Sequence, residues 1–146
     1  MKQLNSIQFT AVLVVAVVGS VLLALRLLFN IQPAANPTFS YLADIVAIIA
    51  SIGSILGASA LTKESIADLK YKTEIAEKMN IYTKAYTKKM MLIGLGGILC
   101  SVAYFATGKN SALILLGMLI VYMLVSRPAK YKVAETLGIA EESIPE

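Results

Sequence analysis

Four long apolar runs in this chain contain only two charged side chains, Arg26 and Asp44, and these are the residues whose type and placement could do chemistry. A charge near the centre of a bilayer costs several kcal/mol, so such a residue faces a partner, a water-filled path or the interface. Arg26 stands about one helical turn before the end of the first run, and Asp44 about one turn after the start of the second. Antiparallel neighbours joined by a short connection would carry both to one depth, which predicts an ion pair. Its plainer meaning is a structural clip between two helices. The functional meaning is a gate or substrate site for an ion or polar solute, and Arg26 alone could instead snorkel to the outer interface.

Little other chemistry is available. Ser51, Ser54, Ser59 and Ser101 carry hydroxyls that could ligate an ion, with no charge to make it selective. There is no histidine and one cysteine, Cys100, inside the third run. Ser/His/Asp and Cys/His catalysis, an intrachain disulfide and an imidazole or thiolate metal site are therefore not expected. No Walker or dinucleotide glycine loop occurs, and the GLGG of the third run sits where glycines serve packing. The expectation is a protein that is not an enzyme and carries no catalytic residue, cofactor or metal.

The elements that must position Arg26 and Asp44 follow from hydropathy. Of 146 residues, 58% are hydrophobic, well above the roughly 45 to 50% of soluble domains. Mean hydropathy is +0.74. The predicted fold is all-α: a polytopic membrane protein with four transmembrane helices over about 7–29, 41–61, 90–107 and 111–126. The first run is too long for the h-region of a signal peptide, so it is kept as a span. Residues 62–89 read as a helical hairpin outside the bilayer, turning near Asn80, and 127–146 as a tail. Thr62, and Ser65 with Asp68, are candidate caps there. Around the start of the tail Ser126-Arg127-Pro128 restarts a short amphipathic helix, with the proline in its first turn, that runs to Thr136 or Leu137 and is stopped by Gly138, followed by a frayed acidic end. The connections leave no room for a separate soluble domain, so 1–146 is a single membrane domain.

Charge placement orients the chain. Thirteen basic and nine acidic residues give +4, and seven of the basic ones lie between Thr62 and Lys89 beside four acids. Lys2 precedes the first span, Arg127, Lys130 and Lys132 follow the fourth, and the remaining two connections hold only Lys109. The positive-inside rule puts both termini and 62–89 in the cytoplasm, in the cytoplasmic or inner cell membrane. The acids diluting the basic segment argue against nucleic acid as a partner.

Small residues predict how the spans pack. In the second span Ile45, Ile48, Ile49, Ile52, Ile55 and Leu56 fall on one face, toward lipid, with Asp44, Ala47, Ser51, Ser54 and Ala58 on another, toward protein. Gly53 and Gly57 form a GxxxG pair that widens the small side. This span reads as the central helix. Gly19 shares the Arg26 face of the first span, and Gly94, Gly97 and Ser101 are the expected partners of the second span's small side. The fourth span, bulky nearly all round, reads as peripheral. Tyr71, Ile75, Met79, Tyr82 and Tyr86 form a stripe that could pack on its own return helix, lie on anionic headgroups or bind a partner protein. The leading function is a small structural or accessory membrane protein, self-associating or binding a membrane-protein partner. The alternative is a small-solute or ion channel or transporter using Arg26 and Asp44.

Overall fold

A computed structural model describes residues 1–32, 36–67, 69 and 74–144. Its elements are five α-helices: α1 (Lys2–Leu28), α2 (Pro37–Ala67), α3 (Ile75–Thr107), α4 (Asn110–Val125) and α5 (Lys130–Leu137), then a 3-10 turn at Glu141–Ser143. No strand occurs among the described residues. Three helices, α1 to α3, are long and apolar enough to cross a membrane; α4 with α5, bent by 73° at their junction, makes a fourth if the pair counts as one span. All four long helices expose large apolar side chains, among them Phe9 and Val17 on α1, Ile49 and Leu56 on α2, Met91 and Leu95 on α3, and Ile114 and Met118 on α4. A belt of this extent is foreign to a soluble monomer and suits lipid. The chain is thus a multi-pass membrane protein.

The ends of the elements follow local chemistry. α2 starts at Pro37, a turn earlier than its hydropathy suggests, because Asn36 accepts from the backbone N–H of Thr38 at 3.0 Å and proline suits the first helical position. α1 closes with Asn30 in the left-handed region (φ 45°) and Ile31 N–H bonding the Arg26 carbonyl at 3.1 Å, a Schellman ending. Gly138 stops α5 in the left-handed conformation, as its position behind Leu137 predicts.

The connection between α2 and α3 corrects the expected turn. Asn80 lies inside α3, and Thr62 and Ser65 lie inside α2, where the Thr62 hydroxyl donates back to the Ala58 carbonyl instead of capping a new helix. With neither glycine nor proline to interrupt them, both spans simply continue past the apolar runs. The reversal falls between Ala67 and Ile75; Asp68 and Tyr71 lie outside the described residues. The expected frayed end is corrected as far as Ile144, which is buried in the core behind the 3-10 turn at Glu141–Ser143; Pro145 and Glu146 lie outside the described residues.

Packing corrects the expected centre. The helix against which the other long helices pack most extensively is α3: α1, α2 and α4 each lie chiefly on it, while α1 and α2 share hardly any contact among the described residues. The reason lies in three glycines within four residues. A Cβ on Gly96 would stand 2.5 Å from the Ser54 Oγ and 2.9 Å from the Ala50 carbonyl of α2. A Cβ on Gly97 would stand 2.7 Å from Val15 of α1. α3 is thin on two sides, so two helices approach it closely. α4 is not peripheral either: Ala112, Leu116, Leu119 and Met123 form a buried stripe, and Leu116 reaches Gly19 of α1 and Gly97 of α3.

Candidate functional site

Arg26 and Asp44 do not meet as a pair; each has other partners. α1 carries a buried stripe of Leu4, Gln8, Val15, Gly19 and Arg26 toward α3 and α4. From the end of that stripe the Arg26 guanidinium donates to the carbonyl oxygens of Tyr104, at 3.3 Å, and Phe105 in the last turn of α3. It also lies 5.7 Å from the centre of the Tyr104 ring. The Tyr104 carbonyl also accepts from the cap N–H of Gly108 at 2.7 Å, and both carbonyls sit at the negative end of the helix dipole, so they act as the counter-charge of a 7% exposed cation. The predicted antiparallel neighbours, α1 and α2, are separated by α3, which is why the expected pair does not form.

Gly108 makes this arrangement possible. Its φ of 70° is left-handed, and a Cβ there would lie 2.7 Å from the guanidinium carbon of Arg26. Only glycine meets both demands without strain. Asp44 faces Lys109 in an ion pair and accepts from the Ser111 hydroxyl at 3.1 Å. The side chains of that pair are 22% and 42% exposed, so it belongs to the rim of the bundle.

At the opposite end of α1, Gln8 plays a matching part. Its Nε2 donates to the carbonyl oxygens of Met123, at 2.6 Å, and Leu124, at 3.2 Å, in the last turn of α4. Gln8 and Arg26 are eighteen residues apart. That is five turns and about 27 Å, which puts one donor on each side of a bilayer core. The spacing was a legible signal: a polar residue in register with a buried arginine on one helical face. Further carbonyls are met the same way, with the Lys78 Nζ donating to Leu137 of α5 at 2.9 Å and the Tyr86 hydroxyl to Ser126 at 3.4 Å.

Of the residues chosen for packing, Ser51 and Ser54 lie buried on the small side of α2 with Ala47 and Ala58, opposite exposed Ile48, Ile49, Ile52 and Leu56. Their hydroxyls donate to the carbonyls of Ile48 and Ser51 within the same helix. Ser101 donates to Gly97 and Ser59 to Ile55. Gly94, Gly97 and Ser101 face α1 and Gly19, not α2 as expected. Gly96 supplies the α2 contact; its face became visible only once two neighbours were placed on α3. Gly57 approaches Leu92, whereas a Cβ on Gly53 would meet nothing within 4 Å.

The tyrosine stripe turns inward along α3. Ile75 is exposed, Met79 and Tyr82 are half-buried and Tyr86 is buried, with the Tyr82 and Tyr86 rings stacked 6.4 Å apart. In this polar part of α3, ahead of the apolar run at Met90, burial pushes both hydroxyls above the usual phenol range, and Tyr82 adds to the effect on Tyr86. Both stay protonated and available as donors. Tyr71 lies outside the described residues. Among the described residues no group of three or more histidine, cysteine or acidic side chains is placed to hold a metal. Comparison with models of protein families, with curated proteins and with solved structures finds no match to this chain.

Proposed function

We propose that this protein is a structural or accessory component of the cytoplasmic membrane: a four-span bundle with both termini inside, working through contact with other membrane components. The observation that carries the reading is where its polar groups go. Among the described residues, the buried side chains of Gln8, Arg26, Ser51, Ser54, Ser101 and Thr107 each donate to a backbone carbonyl of the bundle. A solute path needs polar groups turned toward a passage; here Gln8 and Arg26 bind the ends of neighbouring helices, and the four hydroxyls bond back within their own helices. Arg26 is committed to the end of α3 and Asp44 to Lys109, which supports a scaffold over a transport route.

The orientation rests on charge: the end that holds Lys2, α5 and the α2–α3 connection is the basic one. The small faces of α2 and α3 are mostly filled within one copy, and Gly53 is the member that looks outward, beside Ile49 and Ile52. Self-association would therefore use the outer face of α2. The test is flux. Protein reconstituted into vesicles is expected to pass ions and small polar solutes no faster than empty vesicles. A flux that the protein confers and that Asp44→Asn suppresses would overturn the scaffold reading in favour of transport.

A further inference from the structure

Where α2, α3 and the α4–α5 junction meet, the end carrying the termini holds a cavity of about 220 Å³. Tyr82, Tyr86 and Lys89 of α3, Arg127 of the junction and Lys132 of α5 all line it. No carboxylate lines it. Among the described residues none of the three cations has an acidic partner; Lys89 and Lys132 lie instead near the rings of Tyr122 and Tyr131, at 5.7 and 5.9 Å. Three positive charges drawn around one hollow repel one another until an anion enters it.

The depth of the cavity says which anion. Lys89 immediately precedes Met90, where the third apolar run begins, and Arg127 follows Ser126, where the fourth ends. The hollow therefore lies at the boundary between the apolar belt and water. Next to it Leu124 and Val125 are 54% and 77% exposed, offering an apolar surface against which acyl chains can lie. Tyr82 makes no hydrogen bond through its hydroxyl among the described residues, leaving a neutral donor beside the cations. Cations and a hydroxyl donor match phosphate oxygens, and basic hollows between spans at the interface suit anionic lipid headgroups.

We propose that this cavity binds the phosphate of an anionic phospholipid headgroup, with Lys89, Arg127 and Lys132 as its charged ligands and Tyr82 as a donor. The inference needs the bilayer placement of the bundle and is independent of whether the protein is a scaffold or a transporter. It is tested by native mass spectrometry of the full chain in mild detergent with added phosphatidylglycerol or phosphatidylcholine. The intact protein is expected to retain phosphatidylglycerol preferentially. Arg127 is exposed, so Arg127→Gln is expected to fold, and to weaken retention about fivefold. Arg127→Lys should restore most of it. The triple change Lys89→Gln, Arg127→Gln, Lys132→Gln should bring retention to the phosphatidylcholine level, while Lys84→Gln with Lys88→Gln, exposed and outside the cavity, leaves it intact. Equal loss in that control pair would mean a diffuse field and overturn the site. Displacement of the lipid by equimolar glycerol phosphate would assign the cavity to a soluble phosphate and overturn the lipid proposal. A helical spectrum and elution volume matching the intact protein separate lost binding from lost folding.

Discussion

Arg26 illustrates how a single side chain in an apolar helix can be satisfied without a carboxylate. Its donors meet the last-turn carbonyls of α3, and its guanidinium lies against Gly108, where an added Cβ would collide with it. Arg26→Ala removes a charge-assisted bond and is expected to cost about 2 to 3 kcal/mol in a denaturant titration of the detergent-solubilised protein. Gly108→Ala should cost about 1 to 3 kcal/mol, through left-handed strain and the collision with the guanidinium. Because Arg26→Ala removes that collision, the double variant should lose less than the sum, by about 1 kcal/mol. Additive losses would mean that the two residues do not act on each other. Asp44→Asn, at the half-open rim, should cost no more than about 1 kcal/mol in the same titration.

At the scale of elements, α3 is central because its glycines thin it on two sides, while α1 is the helix that fastens the ends of others. Gln8 and Arg26 reach the last turns of α4 and α3 from one face of α1. The α2–α3 seam depends on Gly96, whose missing Cβ would collide with Ser54 and Ala50. Gly96→Ala is expected to destabilise by about 1 to 3 kcal/mol, the range for overpacking a close contact. Gly53→Ala, which meets nothing within 4 Å, should be neutral or stabilise by up to about 1 kcal/mol through helix propensity. The reverse order of the two variants in thermal or denaturant unfolding would show that α2 and α3 do not pack in this register.

For the whole molecule, the four long helices alternate in direction. α4 runs from the rim at Lys109 to the end where Gln8 meets Met123, and α5 turns back beneath the bundle, held by Lys78 at Leu137. Both termini and the α2–α3 connection thus share one end. In a Cys100→Ala background, a single cysteine at Lys109 is expected to react with an impermeant maleimide on intact cells. Cysteines at Lys2 and Glu142 should react only after permeabilisation. Labelling of Lys2 and Glu142 from opposite faces would exclude four crossings.

The class of the protein, the outward and inward faces of α2 and the stop at Gly138 were legible in the sequence, because hydropathy, helical periodicity and left-handed capping are local properties of the chain. The buried face of α1 was legible for the same reason, since Gly19 and Arg26 recur with it. Partners were not legible. Arg26 and Asp44 look paired when α1 and α2 are taken as neighbours, and only the tertiary structure puts α3 between them. Nor does local sequence mark Gly96 as a contact for α2, or the last carbonyls of α3 and α4 as acceptors for α1. Which helix fills a given small face, and which donor reaches a given helix end, depends on the arrangement of all four helices together. That arrangement is decided by close backbone approach around α3, a property no single segment contains.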